Sequence, residues 1–385
     1  MTLADRETLR EELRALGFDD VRFAAVDAPL ERQLKQWMQA GMHADMHWME
    51  RTVEKRLDPR LVLEDAWSVV LLGVNYWSEQ WRNLGGGETP RWARYALHDD
   101  YHDTIKPALE RVGKVLEERC HLNSNDYRYY VDTGPVMERV WAARAGVGFA
   151  GKNAMLISRQ FGNWLFLASV LVRSAIPPDE PVTPRAASTG GAVGLLCGKC
   201  TRCLDACPTQ AFAAPGVVDA RKCVSYQTIE NRGIVPRALR AGIGDRVYGC
   251  DVCLEVCPWN RFAQEGRRVL LNVRGEIARL TLADLLALTP ESFARIFRGT
   301  AIKRVKLGGL VRNACIVAGN SGDESHLPQL LQLAGSSPLP IVRAHAVWAV
   351  FRVAGAQRAR ALLATALAQE TDPLVLAEYA AEPDA

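Results

Sequence analysis

The tightest constraint on this chain is a run of cysteines. CGKCTRCLDACP, residues 197–208, sets Cys197, Cys200, Cys203 and Cys207 at C-x2-C-x2-C-x3-C, with Pro208 next. Spacing this short wraps the backbone round one inorganic cube, so that three thiolates reach it. The fourth, carried away by the proline, ligates a neighbouring cube. Zinc sites do not use three intervals of this pattern. GCDVCLEVCPWN, residues 249–260, adds Cys250, Cys253 and Cys257 before Pro258. By reciprocity the first cube takes Cys197, Cys200, Cys203 and Cys257. The second takes Cys207, Cys250 and Cys253 and needs one more ligand. Cys223, in ARKCVSYQTIE, is the remaining cysteine of the region. Eight thiolates then fill two [4Fe–4S] clusters with none left over. Cys120 and Cys315 lie outside, in helix-like apolar patterns, and are expected to be small buried thiols.

The motif is that of bacterial ferredoxins, but a chain that only held clusters would need about 60 residues. A region of some 180 residues lies ahead of the clusters here, enough for a catalytic centre that receives electrons one at a time. The 385 residues are 48% apolar and 24% charged, an ordinary folding composition, and a net charge of +3 implies no polyanion partner by itself. No run of 18 apolar residues occurs, so no membrane span is expected. MTLADRETLREELRALGF is charged and helical in pattern, without a signal h-region, so a cytoplasmic location follows. There, cysteines bind metal more readily than they form disulfides.

The coarse pattern gives an α+β multidomain chain. Residues 1–180 read as an α/β domain, with strands in AWSVVLLGVNY (66–76), YRYYVDTGPV (127–136) and WLFLASVLV (164–172) and a helix over 105–120. Residues 176–194, rich in Pro, Gly, Ser and Thr, read as a loop or linker. A ferredoxin-like domain follows over 181–265 and a helical domain over 266–385. LVRNACIVAGN (310–320) is echoed by IVRAHAVWAVF (341–351), and Pro340 and Pro373 precede similar helix starts. That period suggests a small HEAT-like α-solenoid. GVGFAG (146–151) has the letters of a dinucleotide fingerprint. It follows a helical stretch and not a strand, so Gly146 is better read as a helix C-cap. HADMH (43–47) spaces two histidines four apart but lacks a zincin's glutamate, and Met42, Met46 and Met49 suggest a packed helix face.

VDTGPVMERVWAARAGVGFAGKNAMLI (131–157), RTVEKRLDPR (51–60), ARYALHDDYH (93–102), CVSYQTIENRG (223–233) and YGCDVCLEVCPWN (248–260) together resemble the epoxyqueuosine reductases. These are cobalamin-dependent iron–sulfur enzymes that finish queuosine biosynthesis on tRNA. The resemblance runs from about residue 20 to 320 and also covers the remote Cys223. It implies a base-off cobalamin in the N-terminal region and a HEAT-like C-terminal region. No D-x-H-x-x-G motif is present, in keeping with a corrinoid that takes no protein ligand. It further implies reduction of epoxyqueuosine to queuosine at the tRNA wobble position, by cob(I)alamin re-reduced through the two clusters. The partners implied are a tRNA containing epoxyqueuosine and an external low-potential electron donor. A monomer is expected.

The resemblance makes Asp132 the proton donor. Physically, a carboxyl at a strand end against an apolar corrin face would hold its proton more strongly; a helix N-cap is its bland alternative. Arg56 is assigned to corrin contact against a solvated helix charge. Lys152 and Asn153 follow a glycine-rich turn where a large ligand can approach. Ser225 and Tyr226, beside Cys223, are read as lying between cluster and corrin. DDYH, residues 99–102 with Asp100 and Tyr101, is read as the substrate mouth. RIFRGTAIKRVKLGGLVR (295–312) carries Arg295, Arg298, Lys303, Arg304, Lys306 and Arg312 and no acid, so these are expected to track RNA phosphates. Two alternatives stand beside this reading. One is a reductive dehalogenase-like corrinoid enzyme, which would call for an export signal and no solenoid. The other is a non-catalytic electron-transfer subunit, which would bind no corrinoid.

Overall fold

A computed structural model describes residues 1–27, 33–79, 89–182, 193–267 and 269–381. By compactness the chain forms two units. The first comprises Met1–Arg82, Asp100–Ala220 and Val252–Asn272, and the second Asn83–Asp99, Arg221–Asp251 and Val273–Ala385. Among the described residues no helix is long and apolar enough to cross a membrane.

The first unit is built on a four-stranded sheet in the order Asp20–Ala25, Ser68–Asn75, Leu165–Val172, Tyr127–Val131. Every pairing is antiparallel, so the α/β pattern in the sequence conceals a sheet without βαβ crossovers. Ser68–Asn75 is buried at every position, which explains its unbroken apolar run. Val69, Leu71 and Leu171 pack with Trp141, Ala142 and Ala143 of the helix Glu138–Arg144. Period-two alternation sends Val70 and Leu72 to the other face, where both are also fully buried. The helices Leu3–Ala15 and Tyr101–Cys120 pack on the edge strands.

Two boundaries differ from the sequence pattern, and both matter for the site. The helix expected over 105–120 begins at Tyr101, because Asp100 caps it by accepting from the His102 N–H at 3.2 Å. The strand expected over 127–136 stops at Val131, because Asp132 takes φ +58° and the Thr133 N–H turns back to the Val131 carbonyl at 2.6 Å. Gly146 does end the helix Glu138–Arg144, with φ +77°. A strand, Gly148–Ala150, follows it, so no dinucleotide turn forms. The linker read over 176–194 lies partly outside the described residues.

In the second unit, the short strands Arg91–Trp92 and Arg246–Tyr248 pair in parallel. From Lys306 onward the structure is helical: Lys306–Ser321, Leu327–Ser336, Pro340–Ala354, Ala356–Gln369 and Pro373–Ala380. Pro340 and Pro373 each occupy a first helical turn, where the missing N–H costs nothing. Three polar residues of Lys306–Ser321 face inward onto the 221–251 segment. Arg312 and Asn313 donate to its carbonyls, and Asn320 donates to the Arg240 and Gly244 carbonyls at 2.8 and 3.0 Å. Cys315, on the same helix, is fully buried as expected. Cys120 is half-buried, and burial pushes its thiol up.

Candidate active site

Asp132 stands where a strand ends, at the centre of a three-residue turn, in a left-handed conformation that aspartate tolerates better than most residues. Its side chain is 68% exposed, and Tyr101 and His102 approach it from the first turn of their helix. The Tyr101 O–H donates to Oδ2 at 2.6 Å, and His102 Nε2 lies 3.7 Å from the same oxygen. His102 Nδ1 bonds Asp100 Oδ1 at 2.7 Å, and the Tyr101 ring stacks on Phe166 at 4.3 Å. Asp100 and Tyr101, expected at the substrate mouth, and Asp132, expected as the proton donor, therefore meet in one constellation with His102 as the bridge. Asp99 belongs to the second unit and pairs with Arg274 at 3.1 Å.

The electrostatics correct one expectation. Surrounding protein works to raise the Asp132 carboxyl. The nearby His102, the hydrogen bond from Tyr101 and the charges of His102 and Arg139 outweigh that, so the group sits below its ordinary range. Burial alone would depress His102, but the Asp100 and Asp132 carboxylates push it up to about 9. The constellation therefore holds its proton on the imidazole.

A carboxyl that sequence reasoning did not single out is Glu138, at the first position of the helix after Asp132. Burial, then the repulsion of Asp132, pushes it up to about 7, against the opposing charges of Arg56 and Arg139. Its Oε1 is buried without a hydrogen-bond partner among the described residues. The link from Asp132 to Glu138 is tight: a Cβ on Gly134 would lie 2.2 Å from Tyr130 Cγ. Arg56 is buried, donates to Thr52 Oγ1 at 3.1 Å and lies over the Trp48 ring at 5.3 Å. Burial depresses it while Glu138 and Asp132 oppose, so its charge faces this site rather than open solvent. The HADMH histidines do not form a packed helix face: His43 sits in a turn and bonds Glu50 Oε1 at 2.6 Å.

Cys197, Cys200, Cys203 and Cys257 line one cavity of about 220 Å³. Burial, then the charges of Cys197 and Cys257, pushes the Cys203 thiol up to about 11; crowded thiols of this kind suit a shared metal cluster. Lys152 and Asn153 also border the cavity. Lys152 Nζ donates to the carbonyls of Gly198 and Cys200 at 2.7 and 3.1 Å, and Asn153 Nδ2 donates to the Cys253 carbonyl at 3.3 Å. Both residues thus fasten cysteine-bearing loops, contacts the sequence did not foretell. Of the second set, Cys207 and Cys253 fall in the first unit and Cys223 and Cys250 in the second. Ser225 and Tyr226 are half-buried in the turn of helix that Cys223 opens. Arg295, Arg298, Lys303, Arg304 and Lys306 are exposed, whereas Arg312 is fully buried and bound to carbonyls, so it cannot track phosphates.

Residues 196–260 match the family model for a 4Fe-4S double cluster binding domain, and residues 56–133 that for Epoxyqueuosine reductase QueG, DUF1730. The epoxyqueuosine reductase of Cellulophaga algicola is 36% identical over 311 residues, covering 81% of this chain and 95% of that protein. This chain belongs to the epoxyqueuosine reductase family. The Escherichia coli epoxyqueuosine reductase is 34% identical, covering 87% of this chain and 86% of its own. A crystal structure of epoxyqueuosine reductase with an epoxyqueuosine-modified tRNA-Tyr stem loop is 29% identical, with a TM-score of 0.81 over 97% of this chain and 96% of that one. An epoxyqueuosine reductase from Bacillus subtilis, with its catalytic aspartate loop swung out of the active site, gives 0.82 at 28% identity over 97% of each chain. Epoxyqueuosine reductase membership decides between the readings of the sequence: the chain is an enzyme, with a double-cluster domain on a mixed α/β framework.

Proposed function

We propose that this chain reduces epoxyqueuosine in tRNA to queuosine, with Asp132 as the group that hands a proton to the departing oxygen. Removing that oxygen as water while an alkene forms consumes two electrons and two protons. The observation that carries the reading is the convergence of Tyr101, His102 and Asp132. His102, cationic at neutral pH, holds a proton beside Asp132, and Asp132 passes it on as charge develops on oxygen. Tyr101 keeps the carboxylate aimed. Glu138, half-titrated near neutrality, is the reservoir for the second proton.

Corrinoid contact is assigned to Arg56, Asp132, Lys152, Asn153, Ser225 and Tyr226; what supports it is the buried charge of Arg56 and a Glu138 Oε1 that has no partner among the described residues. When bound, the corrinoid supplies a low-valent metal nucleophile. Two [4Fe–4S] clusters, on Cys197, Cys200, Cys203 and Cys257 and on Cys207, Cys223, Cys250 and Cys253, would deliver electrons from a low-potential donor. The matched double-cluster model supports both sets. The chain divides on this reading into a corrinoid domain (1–180), a ferredoxin-like domain (181–265) and a HEAT-like domain (266–385), and works as a monomer. The tRNA substrate is supported by the stem-loop complex of the related structure and by exposed Lys303, Arg304 and Lys306.

The test is reconstitution of the full chain with iron, sulfide and cobalamin, followed by turnover of an epoxyqueuosine-containing stem loop. A corrinoid spectrum, about eight irons and product carrying queuosine are expected. Eight irons with no corrinoid bound would favour an electron-transfer subunit. Eight irons in a Cys223→Ala protein would remove Cys223 from the ligand set.

A further inference from the structure

Lys152 is a cation fastened among cysteines, with only neutral acceptors. Its Nζ donates to the carbonyls of Gly198 and Cys200 at 2.7 and 3.1 Å, and among the described residues no carboxylate pairs with it. The residue is half-buried, and its course is fixed. A Cβ on Gly194 would lie 2.6 Å from Lys152 Cγ, so the stem passes where only a glycine leaves room. The Gly216 N–H donates to the Lys152 carbonyl at 2.8 Å. The next residue grips the other cysteine segment. Asn153 Nδ2 donates to the Cys253 carbonyl at 3.3 Å and to Asn163 Oδ1 at 2.9 Å, and Asn163 Nδ2 donates to Asn260 Oδ1 at 3.0 Å. Adjacent residues thus hold the 197–200 and 253–260 segments at a set spacing.

Those segments supply Cys197, Cys200 and Cys257, which with Cys203 line one cavity; the four cysteines, Lys152 and Asn153 all belong to the first unit. Among the described residues no carboxylate borders that cavity, and its two cations are Lys152 and Arg261. Arg261 is exposed and lies over the Phe262 ring at 4.7 Å, where water screens its charge. Lys152 acts on the cysteines themselves. Burial pushes the Cys197 thiol up, a hydrogen bond from the Lys152 backbone opposes that, the Cys257 charge adds to the rise, and the Lys152 ammonium opposes it again. Backbone and side chain of one residue both favour negative sulfur at Cys197. A partly buried cation set on neutral carbonyls calls for an anion to offset its lost hydration.

We infer that Lys152 is a positioning residue for the first [4Fe–4S] cluster and supplies its fixed positive charge, the cluster being the anion that the four cysteines build beside it. The inference rests on the ligand set proposed above and gives Lys152 a role at the cluster in addition to the corrin contact assigned to it. Four thiolates leave such a cluster negative. Uptake of one electron from the low-potential donor already named adds a further negative charge without making or breaking a bond. A cation fixed beside the cluster stabilises the reduced form more than the oxidised one and raises the potential.

The experiment is a redox titration of the reconstituted full chain, followed by electron paramagnetic resonance. The couple that Cys203→Ala abolishes identifies the first cluster, and the other couple is the internal reference. Lys152→Gln keeps a donor for the carbonyls and loses the charge. At fixed ambient potential it is expected to lower the reduced-to-oxidised ratio of the first cluster by at least about threefold, and to leave the second inside that margin. Lys152→Arg keeps the charge and should stay inside the same margin for both. A smaller fall in Lys152→Gln, an equal fall in Lys152→Arg, or a second couple that moves as far would overturn the inference. Corrinoid lost from Lys152→Gln with both couples unmoved would make Lys152 a corrin contact alone. If Lys152→Gln takes up only the second cluster, iron content decides: about eight irons in Lys152→Arg support a required charge, and about four overturn it. About four irons in the wild type, or both couples intact in Cys203→Ala, would instead overturn the ligand set beneath the inference.

Discussion

The two units keep their charged groups differently. Around Asp132 the groups are shifted by one another: Glu138 titrates at about 7, and His102 is raised to about 9 by the carboxylates beside it. Around the helix Lys306–Ser321 the buried groups are locked away from neutrality: Arg312 near 10, His345 well below its ordinary value. Burial shifts groups in both environments, so burial alone does not explain the difference. In the first unit, carboxylates and an imidazole are coupled and leave one another able to exchange protons. In the second, guanidinium groups are held by carbonyls or by Glu378, and no nearby group can accept their protons cheaply. Groups poised near pH 7 suit chemistry; groups far from it fix backbone. Variants can break this contrast at either end.

The largest effect should come from the locked side. Arg240 and Arg237 both donate to Glu378 Oε2, at 3.0 and 2.8 Å, and Arg240 also reaches Oε1 and lies over the Trp348 ring at 5.3 Å. Glu378→Ala leaves Arg240 charged and sealed in. The expected loss is about 3–5 kcal/mol, the scale for stranding one member of a buried pair. Chemical denaturation of the helical unit, followed by circular dichroism, measures it. A loss under about 1 kcal/mol, the scale of an exposed pair, would show that the guanidinium finds water.

Asp132→Asn tests the poised side. The amide keeps the shape and loses the acid, so turnover should fall by roughly 10²-fold or more while corrinoid and tRNA bind nearly as before. Single-turnover product formation is the measurement. Near-normal rates would take Asp132 out of the proton path and leave His102 as the donor.

The double-cluster motif and the Asp132 segment were legible in the sequence, whereas this contrast was not, and the limits are physical. The proposed cluster ligands follow from covalent spacing, which a sequence carries in full, so that assignment could be reached by counting. Asp132 was legible as a motif residue but not in its electrostatics, because the four-residue difference in the start of its partner helix decides whether Tyr101 and His102 reach it. Glu138 has no periodic or spacing signal; its role depends on the γ-turn at Asp132 and the close packing of Gly134 on Tyr130. Arg312 was misread as part of a basic stripe. The signal against that was present: GGLVRNACIVAG is apolar on all sides, and a charge inside such a helix must be buried.

Glu138 also allows a smaller, pH-dependent test. Its pKa in the folded chain, about 7, lies above the ordinary 4.5. Its favourable contribution is therefore complete below pH 4.5 and is lost as pH rises through 7. Glu138→Gln should flatten the decline in melting temperature across that window and make the variant the more stable protein at pH 8. His102 is raised in the same sense but from 6.5 to about 9, so its contribution disappears in a higher window. Parallel melting curves for wild type and Glu138→Gln from pH 5 to 8 would mean that Glu138 is ionised throughout, and the second proton would have to come from solvent.

The smallest effect belongs to the exposed charges, which neither unit seals. Replacing Lys303, Arg304 and Lys306 together by Gln removes at most three phosphate partners. Each lost contact should flatten the slope of log affinity against log salt by about 0.7–0.9. Arg304 already bonds Glu230, with Nη2 to Oε2 at 3.0 Å, so it must give up that carboxylate to reach RNA. Its share should accordingly fall below the others'. Binding should weaken alike for cognate and non-cognate stem loops, because phosphate contacts position RNA without reading its bases. Iron content should not move, because these charges are exposed and screened by water. The measurement is stem-loop affinity across a salt series. An unchanged slope would make the exposed run a solvated face and place the RNA surface elsewhere.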